Sequence, residues 1–253
     1  MDYSKIAEEI REFLKEKLEE TGAEGYVIGV SGGIDSAVTT KLAVDAVGVE
    51  KVNAWIMPGK PSNPDNTRDA QQLCKDLGLN YNLVNIESTV EAFCESTPFE
   101  MGKETVGNLR ARTRMVHEYA DANENNLMVL GTGNRSELLI GYFTKYGDAA
   151  TDISPIADLY KSEVRELAKH IGIDDKFIKK QPSAGLWEGH TDEDEIGMSY
   201  TQIDEILRLM VDQDKTVEEI TGSGIDRDKV ERIEKMYQSS EHKRSMSQIL
   251  HLR

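Results

Sequence analysis

Tyr26-Val27-Ile28-Gly29-Val30 runs straight into Ser31-Gly32-Gly33-Ile34-Asp35-Ser36, and Ala37–Val47 then reads as a helix. A short, apolar, β-rich run ending in a glycine turn predicts a buried strand. The alternation returns along the chain. Val52–Met57 reads as a strand closing at Pro58, Asn66–Leu77 as a helix, Tyr81–Ile86 as a strand and Val106–Ala122 as a helix. Leu127–Leu130 reads as a strand entering Gly131, and Tyr160–His170 as a helix closed by Gly172. Strands separated by helix-length segments predict βαβ units. The expected fold is α/β: a doubly wound, mainly parallel sheet, with helices on both faces and right-handed crossovers.

Other segments fill in around this alternation. Residues 3–20 place Ile6, Ile10, Phe13, Leu14 and Leu18 at helical spacing, ended by Gly22 and Gly25. In the helix over Val106–Ala122, the expected buried positions include Leu109, Met115, Val116 and Tyr119. From about Lys176 the strand signals stop, and a helical C-terminal part is expected, with helices at Asp192–Gly197, Tyr200–Met210 and Arg227–Ser240. Pro58–Pro64 is rich in breakers but too short for an interdomain linker, so residues 1–253 are read as a single domain.

Composition narrows the function classes. With 38% hydrophobic and 30% charged residues, the chain reads as a soluble globular protein. It contains no apolar run of membrane length, and Met1–Glu20 has no signal-peptide core, so a cytoplasmic location is expected. Two cysteines, Cys74 and Cys94, with no CxxC partner argue against a disulfide framework or a zinc site. A net charge of −16 repels nucleic-acid phosphate, so no nucleic-acid partner is expected.

The stretch Gly29-Val30-Ser31-Gly32-Gly33-Ile34-Asp35-Ser36 is the first candidate ligand site. It follows a buried strand and opens a helix, where ligands sit in open α/β sheets. Adjacent glycines let the backbone approach a ligand, and successive N–H groups at a helix start attract an anion. Ser31 and Ser36 add hydroxyl donors. Asp35 suits this place if a Mg²⁺ lies between its carboxylate and phosphates. The spacing is neither GxxxxGK[ST] nor GxGxxG. Taken alone, the segment is also compatible with a plain tight turn.

A second constellation spans Leu130–Lys161. Gly131-Thr132-Gly133 makes another close-approach turn, and Glu137 stands at the start of the next helix. If the two strands are neighbours, Glu137 reaches the metal held by Asp35. On its own, Glu137 is equally a solvated helix-start carboxylate favoured by the dipole. Tyr142-Phe143-Thr144-Lys145-Tyr146-Gly147-Asp148 brings aromatics, a lysine and an acid together, in a form suited to a polar ligand with rings or to partial core packing.

The Ser31–Ser36 loop resembles the PP-loop of N-type ATP pyrophosphatases, which implies an adenine nucleotide α-hydrolase-like fold and cleavage of ATP between the α- and β-phosphates. GTGNRSE, YFTKYGD, Lys161, Arg112-Thr113-Arg114-Met115, Gln181–Leu186 and His242-Lys243-Arg244 together resemble the NAD synthetases over nearly the whole chain. That resemblance implies conversion of deamido-NAD to NAD, with release of AMP and pyrophosphate. By position, Gly29–Ser36, Thr132, Lys161 and Ser183 would bind ATP, and Asp35 and Glu137 would hold Mg²⁺. Arg114, Lys145, Asp152, His242 and Lys243 would bind deamido-NAD. Asp148 and Lys161 are the catalytic candidates, with Asp148 or Asp152 open as the base that deprotonates ammonium. Ser183 stands where many members have threonine, and Gly133-Asn134-Arg135 departs from the Asp-His-Ala of many bacterial members. The family also implies a homodimer, through the first helix and Arg112–Tyr119, where Val116 and Tyr119 fit either interface or core.

The implied chemistry joins two anions, so cations must offset their repulsion. Attack by the substrate carboxylate on the α-phosphorus would give an acyl-adenylate, which ammonia then opens. Phe99–Lys103 and Thr144–Thr151 are the candidate closing loops. A glutaminase domain would add hundreds of residues, so free ammonia is the expected nitrogen source. Two rivals remain: a tRNA-thiolating PP-loop enzyme, which needs basic surface and cysteines, and a non-catalytic nucleotide sensor, which has no use for Glu137, Lys161 and YFTKYGD together.

Overall fold

The computed structural model describes residues 1–183, 191–250 and 252. Four strands, β1 (Gly25–Gly29), β2 (Val52–Ile56), β3 (Tyr81–Leu83) and β4 (Leu127–Leu130), form one parallel sheet in the order β3-β2-β1-β4. Helix α1 (Tyr3–Thr21) precedes the sheet, and α2 (Ile34–Val47) and α3 (Pro64–Asp76) cross from β1 to β2 and from β2 to β3. The chain then returns through α4 (Glu87–Ser96) and α5 (Lys103–Asn125) to place β4 on the other side of β1. The strand order therefore reverses between β1 and β4, and the crevice at their carboxyl ends is where such sheets bind ligands. A parallel bridge from Leu130 to Ile153 extends the sheet past β4.

The two-residue period of the strands sorts the core. Tyr26, Ile28, Val52, Ala54 and Ile56 face one layer, where they pack on Leu14 of α1, Leu42 of α2 and Leu167 of α7 (Lys161–His170). Val27 and Val129 face the opposite layer and meet Ala122 of α5. Helices thus cover both faces, as the alternation predicts. Further on lie α6 (Arg135–Ile140), α8 (Asp175–Lys179), α9 (Asp192–Ile196), α10 (Tyr200–Leu207), α11 (Val217–Gly222), α12 (Arg227–Ser239) and α13 (Glu241–Arg244). Several of these C-terminal helices build a second core around Tyr200, Ile203 and Ile233, against Ile140 and Tyr160.

Three expectations change. The strand expected over Tyr81–Ile86 ends at Leu83, and Ile86 instead caps the start of α4. Helix α2 begins at Ile34, three residues before the expected start, so Asp35 and Ser36 belong to its first turn. Gly33 serves as the extended N-cap, and an acidic residue in the first turn complements the helix dipole. Val116 is 59% exposed, and the buried residues of α5 are Gly107, Ala111, Thr113 and Ala122. Small residues let α5 lie close to the sheet, which leaves its larger apolar side chains at the flanks.

Candidate active site

The register pairs Ile28 with Leu130, so the turns that follow β1 and β4 open side by side. The first is the glycine loop. Gly32 is buried with φ +80°, and an added Cβ would stand 2.1 Å from the Asn66 carbonyl oxygen, so only glycine fits. Both serines brace the loop. Ser36 Oγ lies 3.0 Å from Ser31 Oγ and donates to the Gly33 carbonyl at 3.0 Å, while the Gly33 amide donates to Ser31 Oγ. Gly33 offers no side-chain cap, which leaves first-turn amides of a 14-residue helix for an anion.

Asp35, Glu137 and Lys161 meet in this crevice. Lys161 Nζ is 2.5 Å from Asp35 Oδ2 and 2.9 Å from Glu137 Oε1. Lys161 is almost wholly buried and lies 5.0 Å from the Tyr200 ring. Burial opposes its charge, but attraction from Asp35 and then Glu137 wins, and its pKa is held above the ordinary lysine value. Burial also pushes Glu137 up to about 7, with Lys161 opposing and Asp35 reinforcing the shift. With both carboxylates ionised, one ammonium between them leaves a net negative centre.

This arrangement fits a divalent cation. Two hard oxygen donors from neighbouring strand ends converge on one positively charged point, next to a loop suited to phosphates. Among the described residues no group of three His, Cys, Asp or Glu side chains converges, so two carboxylates are the protein share on view.

Asn134 escaped the sequence reading as a site residue. It is fully buried, its Oδ1 accepts from the Glu137 amide at 3.1 Å, and its Nδ2 donates to Asp35 Oδ1 at 3.0 Å. The side chain thereby caps α6 and aims the Asp35 carboxylate, while the Asn134 main-chain amide donates to Glu137 Oε2 at 3.3 Å. The signal was present, because Asn134-x-x-Glu137 has the spacing of a capping box. Asp204 is a second such residue. It is buried, accepts from Ser136 Oγ at 2.5 Å and from the Ser162 amide at 2.8 Å, and so ties the helix starts that carry Glu137 and Lys161.

The other predicted residues form separate groups. Arg114 Nε donates to the Met57 carbonyl at 2.9 Å, beyond β2. Beside it Glu118 presses on the end of β1, its Oε1 lying 2.3 Å from where a Gly29 Cβ would sit. Desolvation pushes Glu118 up to about 7; Arg114 opposes this and Asp148 adds to it. Asp148 keeps a solvent-facing edge and accepts from the Thr144 amide at 2.9 Å. The protein crowding it raises its pKa, outweighing that amide and Arg114. Lys145 Nζ donates to the His242 carbonyl, and Lys243 Nζ donates to the carbonyls of Gly141 at 2.7 Å and Phe143 at 2.9 Å. Asp152 accepts from Tyr119 at 3.2 Å and the Val129 amide at 2.8 Å. Thr132 stands half-buried after β4, Ser183 ends a described stretch, and Ala184–Leu186 lie outside the described residues.

Known proteins share this architecture. The NAD synthase family model matches residues 6–247. The NH(3)-dependent NAD(+) synthetase of Thermococcus kodakarensis is 50% identical over 97% of this chain and 96% of its own. That of Pyrococcus horikoshii is 48% identical, over 97% and 94%. Among solved structures, the NH3-dependent NAD synthetase of Campylobacter jejuni superposes with TM-score 0.85 at 36% identity, covering 99% of this chain and 100% of its own. The NMN synthetase of Francisella tularensis superposes with TM-score 0.89 at 36% identity, each chain fully covered. With the family model spanning nearly every residue, the chain belongs to the NAD synthase family.

Proposed function

We propose that this chain amidates deamido-NAD to NAD with ammonia, splitting ATP to AMP and pyrophosphate through an acyl-adenylate. The observation that carries the reading is the meeting of Asp35, Glu137 and Lys161 beside the glycine loop at the sheet's switch point. Gly29–Ser36 would cradle the ATP phosphates, with Thr132 and Ser183 completing that side. Asp35 and Glu137 would hold Mg²⁺, which when bound offsets phosphate charge and polarises the α-phosphate. Lys161 adds a point charge at the same place.

Arg114, Lys145, Asp152, His242 and Lys243 are proposed to bind deamido-NAD. Asp148 hangs from the segment that Lys243 fastens and is fixed there by the Thr144 amide, which supports a place near the reacting carboxyl, with Asp148 or Asp152 as the base that takes the proton from ammonium. Positioning and electrostatics carry the chemistry, and no protein nucleophile is required.

A single domain over residues 1–253, a homodimer and a cytoplasmic setting complete the proposal. Exposed Phe13 on α1 and Val116 on α5 support the dimer. No helix among the described residues is long and apolar enough to cross a membrane.

The test combines purified protein, ATP, Mg²⁺, ammonium and deamido-NAD, and follows AMP and NAD. Equal amounts of both products are expected. ATP binding without turnover, or pyrophosphate release only with tRNA, would refute the reading. Because a solved relative is an NMN synthetase, nicotinic acid mononucleotide is compared in the same assay. A higher kcat/KM for it would move the substrate to the mononucleotide.

A further inference from the structure

Lys180 follows α8 and carries none of the roles assigned above, yet its side chain reaches the phosphate loop. Its Nζ donates to the Gly32 carbonyl at 2.9 Å, Asn66 Oδ1 at 3.0 Å and Asp69 Oδ2 at 2.5 Å. Three donors meet three acceptors, so the ammonium is fully used. Asn66 and Asp69 stand in the first turns of α3, and Lys176 Nζ lies 3.3 Å from the other Asp69 oxygen. The contact joins three segments that are distant in sequence: the loop after β1, the start of α3 and the residues just before Ser183.

The carbonyl of Gly32 belongs to the same planar trans peptide as the Gly33 amide, so fixing one fixes the other. That peptide is the hinge of the glycine loop. Gly32 holds φ +80°, a region that glycine enters and leaves at little energetic cost. The plane is held from outside at two points: its amide donates to Ser31 Oγ at 3.2 Å and its carbonyl accepts from Lys180.

We propose that Lys180 is a positioning residue for ATP: aimed by Asp69, it locks the Gly32–Gly33 peptide at its carbonyl, as Ser31 Oγ holds it at its amide, so that the uncapped amides of the helix start that follows stay turned toward the phosphates. The inference rests on the ATP-binding role proposed for this loop. Lys180 acts through the backbone and Asp69 acts through Lys180.

The experiment measures ATP binding by calorimetry with Mg²⁺ present, and steady-state KM for ATP and for deamido-NAD. Lys180→Met is expected to raise the ATP Kd at least about 10-fold, the scale of a lost charged hydrogen bond, with the deamido-NAD KM within about two-fold of wild type. Lys180→Arg keeps a charged donor and recovers part of the loss. Asp69→Asn keeps the lysine but loosens its aim, so it shifts ATP binding the same way by less. If Lys180 were instead a direct phosphate ligand, freeing it in Asp69→Asn would leave ATP binding intact or tighter, and that result overturns the proposal. Unchanged ATP binding in Lys180→Met also overturns it. Should Lys180→Met fail to fold, Asp69→Asn decides alone. Wild-type protein that binds ATP but makes no NAD sinks the proposed activity and leaves the Lys180 result standing.

Discussion

Substitution at Asn134 separates two jobs done by one buried amide. Its Oδ1 caps α6 through the Glu137 amide, and its Nδ2 donates to the Asp35 carboxylate. Losing a cap costs about 1 kcal/mol, and losing a hydrogen bond to a charged group costs roughly 1.5–3 kcal/mol. Asn134→Ala loses both and should destabilise the ligand-free protein by about 2.5–4 kcal/mol. At roughly 2 °C per kcal/mol for a chain of this size, Tm falls by about 5–8 °C. Asn134→Ser keeps a capping oxygen and loses only the donor, so its Tm should fall by about 3–6 °C. Both variants release Asp35 from one of its two partners, and kcat/KM for ATP should drop about 10-fold or more in each, since misplacement of a positioning group carries that penalty. Scanning calorimetry and an initial-rate assay provide the readouts. A serine variant within about 1 °C of wild type, with normal turnover, would show that the Asn134–Asp35 bond aims nothing. Equal Tm values for the alanine and serine variants would show the cap to be idle.

Other perturbations follow from the same geometry. Lys161→Met strands two carboxylates around a buried site and should lower stability by roughly 3–5 kcal/mol, checked by urea titration; a loss below about 1 kcal/mol would refute the buried triad. Glu118 has a folded pKa raised to about 7 from the ordinary 4.5, so its favourable contribution is complete below the lower value and fades as pH climbs through the upper one. Glu118→Gln should therefore flatten part of the stability loss between those two pH values, and a ΔG-versus-pH curve identical to wild type would show that Glu118 does not titrate there. Gly32→Ala sets a Cβ against the fixed Asn66 backbone, whereas Gly29→Ala meets only the end of the Glu118 side chain. The first should weaken ATP binding by at least about 10-fold, from backbone strain of about 1–2 kcal/mol plus the clash; the second should do less, and calorimetric titration of both decides the order.

Much of this architecture was legible in the chain. Apolar strand runs, each closed by glycine or proline, announced β1, β2 and β4, and two glycines at a strand end announced the ligand loop. Of the short helices, α9 was read at Asp192–Gly197 and the start of α6 at Glu137, but periodicity gave neither the extent of α6 nor α11. Each spans six residues, too few for an apolar face to repeat, and a capping box stands at the start of both. The start of α2 was hidden because Gly33 caps it without a side chain. Strand order was hidden as well, since nothing local in Leu127–Leu130 says that it lies against β1 rather than β3. That neighbourhood is what brings Glu137 to Asp35. Lys180 left no signal, because its partners are a main-chain oxygen and two side chains more than a hundred residues away.

The C-terminal clasp has its own consequence. Lys243 and Arg244 grip the carbonyl oxygens of Leu138, Leu139, Gly141 and Phe143, while Lys145 reaches back to the His242 carbonyl. Every residue type offers the same oxygen, so the fastening is indifferent to which side chains the gripped ribbon displays. Gly141 is held to glycine by its φ of +69° and by Ser240, 2.1 Å from where a Cβ would sit; elsewhere the ribbon's outward chemistry can be rewritten while its anchorage stays as it is.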